Sequence, residues 1–111
     1  MLIDTIPQGA DYFFAILYQQ GGTATVLTGC TARLQARRYP GAEDLDLELT
    51  TEPNAGLTIT EDAGRIDGHI ANETTTTLSG TYVVQLELTW PDGRIDRVLD
   101  GTWDVSPEVV R

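Results

Sequence analysis

Lysine is absent from this chain, and cysteine and histidine occur once each, as Cys30 and His69. A single cysteine excludes an internal disulfide and a zinc site built on several thiolates. The two serines, Ser79 and Ser106, stand in no nucleophile-elbow motif, so a triad around His69 has no evident nucleophile. Long apolar runs are also missing. Phe13 to Tyr18 is six residues, where a bilayer-spanning helix needs about twenty. The start, MLIDTIPQGADYF, carries Asp4 and Asp11 and no basic stretch, which is unlike a secretory signal. Positive charge is scarce: seven Arg face ten Asp and seven Glu, for a formal charge of −10. A field of that sign repels phosphate backbones and anionic lipid surfaces, so no nucleic acid and no membrane is expected as a partner.

What remains is material for one domain. The 111 residues are 41% hydrophobic, enough for a core and too few residues for two domains. Sixteen Thr, with Val, Ile, Tyr and Trp, suit a pleated, half-buried surface. Period-two alternation recurs along the chain. Tyr12 to Tyr18 is apolar on both faces and is expected to be central or doubly covered. A turn is expected over Gln19 to Gly22, then a short extended piece from Ala24 to Leu27. In Thr31 to Arg37, Ala32, Leu34 and Ala36 share one face, opposite Arg33, Gln35 and Arg37. Leu45, Leu47 and Leu49 alternate with Asp46 and Glu48. Pro53 to Gly56 reads as a turn, and Leu57 to Thr60 with Arg65 to Ile70 as a hairpin. Asn72 is a candidate cap for one helical turn within 72–77.

The strongest strand is Thr81 to Trp90, with Tyr82, Val84, Leu86, Leu88 and Trp90 on one side. Pro91-Asp92-Gly93 turns the chain into a last strand or strand pair from Arg94 to Val105, where Gly101 is the candidate bulge or bend. In that strand Asp96, Asp100 and Asp104 share one parity, an acidic stripe fit to dock a basic surface or to guard an edge. Arg97 is anomalous in the apolar row opposite: the readings open for it are a place at the sheet end, stacking on Trp90 or Trp103, pairing with an acid, or a bulge that reverses the parity. Seven or eight short strands with frequent turns favour an all-β antiparallel sandwich or a small barrel. The divisions expected are an arm over 1–10, a sandwich over 11–106 and a tail over 107–111.

Tyr82, just after Gly80-Thr81, stands where immunoglobulin-like sandwiches place a tyrosine corner, with Val84 in place of the cysteine. Longer strings point further. Leu27 to Arg37 (LTGCTARLQAR) is similar to the "LTGYTARMQVR" type of segment found in small tailed-phage proteins. Ala55 to Ile59, Ala63 to Ile66, Leu78 to Tyr82, Trp90 to Ile95, Asp100-Gly101 and Val105 to Arg111 follow in the same order. Over residues 11–111 the chain thus resembles immunoglobulin-like structural domains of tailed phages, such as the amino-terminal domain of baseplate upper proteins. The resemblance implies a virion structural protein of the tail, baseplate or fibre adaptor, made in the host cytoplasm and assembling with other virion proteins and with its own copies. Capsid decoration and a soluble ligand-binding module are the alternatives.

Chemistry is sparse. His69 reads as a solvent-facing strand residue or subunit contact, and Cys30 as a small buried hydrophobe. Glu43, Asp44 and Asp46 lack the spacing of a calcium loop. No catalysis and no cofactor is expected. Candidate protein contacts are Asp96, Asp100, Asp104, Val109, Val110 and Arg111. The fold is expected to depend on Gly80, Tyr82, Trp90, Gly93, Gly101 and Trp103, with Trp103 a core residue rather than an interface anchor.

Overall fold

A computed structural model describes residues 2–20 and 23–108. Eight strands of four residues or more build two sheets: β1 (Leu2–Pro7), β2 (Tyr12–Leu17), β5 (Thr31–Arg37), β6 (Leu47–Thr50), β7 (Leu57–Thr60), β8 (Arg65–Ile70), β9 (Gly80–Thr89) and β10 (Ile95–Ser106). Two short pieces, β3 (Gln19–Gln20) and β4 (Thr23–Ala24), pair only with each other, and α1 (Asn72–Thr75) is a single helical turn. One sheet has the order β1-β10-β9-β5-β6 and the other β2-β8-β7. This is an all-β, immunoglobulin-like sandwich: the second, fifth and fourth strands of such a fold face the third, sixth and seventh. β1 pairs in parallel with β10 instead of joining β2.

Alternation decides which side of each strand is buried. Ala32, Leu34 and Ala36 of β5 and Tyr82, Val84, Leu86 and Leu88 of β9 form the core, as expected. Leu47 and Leu49 join them, while Leu45 lies outside the strand and is exposed. From the other sheet come Tyr12, Leu57, Ile66 and Ile70. The tyrosine corner is present: the Tyr82 hydroxyl accepts the Ser79 amide at 3.0 Å. Arg38 lies over the same ring, 4.2 Å from its centre. Trp103 is 1% exposed and meets Tyr12 and Phe14 edge-on at 5.8 and 5.7 Å, so it is a core residue. Phe14 in turn covers Gly68, its partner on β8.

Several expectations are corrected. Tyr12 to Tyr18 is not central: β2 is an edge strand, and Phe13 and Leu17 remain 70% and 58% exposed. Among the described residues no element covers its second apolar face, which local pattern cannot reveal. Asn72 does not cap the helical turn. Ala71 occupies the cap position, and the Asp11 carboxylate, distant in sequence, accepts the Asn72 amide at 2.9 Å. The four-threonine run has one buried member, Thr75, whose hydroxyl donates to the Ala10 carbonyl and accepts from the Gly9 amide. Gly101 is no bulge, for it stays in register opposite Val84. The irregularity lies between Arg97 and Leu99. The stretch read as an arm supplies β1, paired within its own chain, and the Gln8 side chain accepts the Glu108 amide. The expected turn residues Gly21 and Gly22, and the tail residues Val109, Val110 and Arg111, lie outside the described residues.

Candidate interaction surfaces

The bulge in β10 determines which residues face out of the five-stranded sheet. Before it, Asp96 pairs with Leu88 and turns inward; after it, Leu99 pairs with Leu86 and Trp103 with Tyr82, both inward. Asp96 therefore leaves the acidic stripe, and Arg97 comes to lie outside with Glu87. The carboxylate of Asp96 closes the end of the core, accepting the Trp90 indole N–H at 2.8 Å and the Tyr18 hydroxyl at 3.1 Å. Those two donors, Trp90 first, hold its carboxyl below the ordinary value, with Arg94 nearby. Trp90 is half-buried, and the Arg94 guanidinium sits 4.6 Å above its ring.

Asp100 and Asp104 do face outward, as expected. Register aligns the outer face into rows: Thr50, Arg33, Glu87 and Arg97; then Glu48, Gln35, Gln85 and Asp100; then Arg37, Val83 and Thr102; then Thr81 and Asp104. Much of this grid is paired. Gln35 donates to Glu48 at 2.7 Å and accepts from Arg37 at 3.2 Å, Arg97 reaches Asp100 at 3.6 Å, and Thr81 donates to Asp104 at 2.8 Å. Arg33 and Glu87 take no hydrogen bond or ion pair among the described side chains, although they are opposite in register. The rows enclose a shallow depression of about 350 Å³ between Arg33, Arg37, Val83, Gln85 and Gly101. Gly80 and Gly93, expected to matter for the fold, both take positive φ at 78° and 90°, at the start of β9 and in the turn before β10.

On the opposite side of the sandwich, Phe13 stacks on His69 with ring centres 4.4 Å apart. The imidazole Nε2 lies 3.2 Å from the Asp11 carboxylate. The Asn72 amide, and then His69, lower the Asp11 carboxyl from its ordinary value. His69 thus faces solvent, in keeping with one of the two expectations for it. Cys30 is only partly buried; burial, then Glu61, pushes its thiol up, which disfavours the reactive thiolate. Among the described residues no group of three or more His, Cys, Asp or Glu gathers as a metal site. Among the described residues no helix is long and apolar enough to cross a membrane.

No family model matches the chain, and no curated protein matches it. Chains of solved structures do match, 28 of them. One is murine CRIg, aligned over 93% of this chain and 91% of that one, at 15% identity and a TM-score of 0.42.

Proposed function

We propose that this chain is a structural protein of a tailed-phage virion, working in the tail, the baseplate or a fibre adaptor. Its work is binding other virion proteins, not turnover. The observation that carries this reading is the outer face of the five-stranded sheet. It is a hydrogen-bonded grid of both charge signs in which Arg33 and Glu87 take no hydrogen bond or ion pair among the described residues. Such a face suits a protein partner that completes both charges, since complementary charge sets register and partner choice. The ordered resemblance of residues 11–111 to phage structural domains supplies the setting. A second reading is a soluble ligand-binding module, favoured by the depression of about 350 Å³, at the small end of ligand sites.

The test is immunogold labelling of intact particles from the lysate in which the chain is made. Gold at the tail end is expected, and gold over the head would move the assignment to capsid decoration. Unlabelled particles, with the protein present and its epitopes accessible, would sink the virion reading and send the depression to a ligand screen. In labelled particles, Arg33→Gln is expected to cut incorporation at least about tenfold while changing the stability of the free protein by less than about 0.5 kcal/mol. Unchanged incorporation would remove the outer face from the interface.

A further inference from the structure

In the two larger sheets four strands lie at edges: β1, β6, β2 and β7. Edges invite pairing with another chain, and folded proteins shield them with charge, proline, bulges or brevity. β6 and β7 are four residues each, and β1 carries Asp4 and Pro7. β2 has none of these shields. It is six residues, YFFAIL, uncharged, without proline, and in unbroken register with β8.

The backbone polarity of β2 follows from two hydrogen bonds. The Tyr18 amide donates to Gly64 at 2.7 Å, so the even-numbered residues of this stretch bond toward β8. On β8 the odd-numbered His69 amide donates the other way, to Gly56 beside β7, at 2.9 Å. The amides and carbonyls of Phe13, Ala15 and Leu17 therefore point away from β8, to a side where the sheet has no further strand among the described residues.

That side opens on a cleft of about 310 Å³ between β2 and β1. Leu99 and Trp103 line it, with Ile3, Tyr12 and Phe14 around them. The Trp103 indole N–H is buried with no hydrogen-bond acceptor among the described residues. Because β1 pairs with β10, no strand among the described residues stands beside β2, while apolar core lies behind that position.

We propose that an extended segment of a partner protein fills this position, pairing with β2 and setting alternate apolar side chains into the cleft. This deepens the assembly reading above and rests on it. The segment is basic. Asp4 is the one charged residue among the described residues that line the cleft, and the whole chain carries −10. A second copy would bring the same negative charge, so charge selects a different, positively charged partner. Main-chain bonds to Phe13, Ala15 and Leu17 supply affinity, and the cleft supplies side-chain selection.

The probe is a pool of nine-residue peptides that alternate Thr with Val, Ile, Leu or Phe and carry Arg at both ends. Amide hydrogen exchange is read by NMR on the full chain. Saturating pool is expected to slow exchange at Phe13, Ala15 and Leu17 by about tenfold or more. The effect should vanish in Ala15→Pro, which removes an outward amide that β8 does not use. Should that variant fail to fold, Ala15→Arg, which sets like charge against the peptide, is expected to abolish the same protection. Unchanged exchange at all three amides, or protection that survives in the folded variant, would overturn the proposal. So would a concentration-dependent dimer abolished by Ala15→Arg, since the edge would then take a second copy. Protection by the pool together with unlabelled particles would leave the edge site standing and the virion assignment refuted.

Discussion

Gly68→Ala pits two opposed effects against each other. Gly68 lies inside β8, opposite Phe14 on one side and Leu57 on the other. Its φ is not positive, so alanine fits the backbone there. Backbone entropy alone then favours alanine by about 0.5–1 kcal/mol. Space argues the other way. A Cβ at Gly68 would overlap the Phe14 ring, whose Cε2 would be 2.6 Å away and whose other edge atoms would be closer still. That ring is held by Trp103 at 5.7 Å and Tyr12 at 5.9 Å between centres. Overpacking of this kind costs about 1–3 kcal/mol. Phe14 is only half-buried and has the β1–β2 cleft beside it, which places the cost in the lower half of that range. The expected net is a destabilisation of roughly 1 kcal/mol, or a fall in Tm of about 4 °C for a domain of this size. Urea unfolding should show a lower midpoint at unchanged slope. In a Phe14→Leu background the clash is relieved, and Gly68→Ala is expected to become neutral or stabilising, giving a coupling of about 1 kcal/mol. A raised midpoint in the wild-type background would refute the reasoning, because the ring would then yield without cost.

Tyr82→Phe keeps the ring beneath Arg38 and deletes the acceptor for the Ser79 amide. Ser79 is exposed, so water partly replaces the bond, and urea unfolding should record a loss of about 1 kcal/mol. Asp96→Asn tests the lowered carboxyl. A depressed carboxylate stabilises the fold above its ordinary value of 3.8, and that stability is lost as pH falls through the lower folded value. The variant should therefore lose stability at neutral pH and show a flatter acid limb than wild type in thermal melts below that value. Parallel limbs would mean that Trp90 and Tyr18 do not govern this group.

Most strands were legible because burial on one face writes a period of two into the chain. Thr31–Arg37 and the Leu57–Ile70 hairpin lie where alternation and turn residues place them, and Tyr82 marks its own corner. The failures share a cause. Asn72 has the right residue type for a cap, yet Asp11, 61 positions earlier, does the capping. Asp96, Asp100 and Asp104 have a common parity in sequence, and one extra residue in β10 divides them between core end and surface. The candidate surfaces were only half legible: the outward Arg33, Gln35 and Arg37 followed from alternation, while the open edge of β2 did not.

The sequence by itself determined that this is a β protein, which residues of each strand share a face, and where the chain turns, because those depend on neighbours one to four positions away. Tertiary structure alone decided that β1 joins β10 and leaves β2 uncovered, and that the β10 irregularity sits beside Val98 and not at Gly101. Both are matters of pairing between distant strands. A run such as Phe13 to Leu17 reads the same whether its second face meets a neighbour or solvent, and only the order of strands in the sheet separates the two.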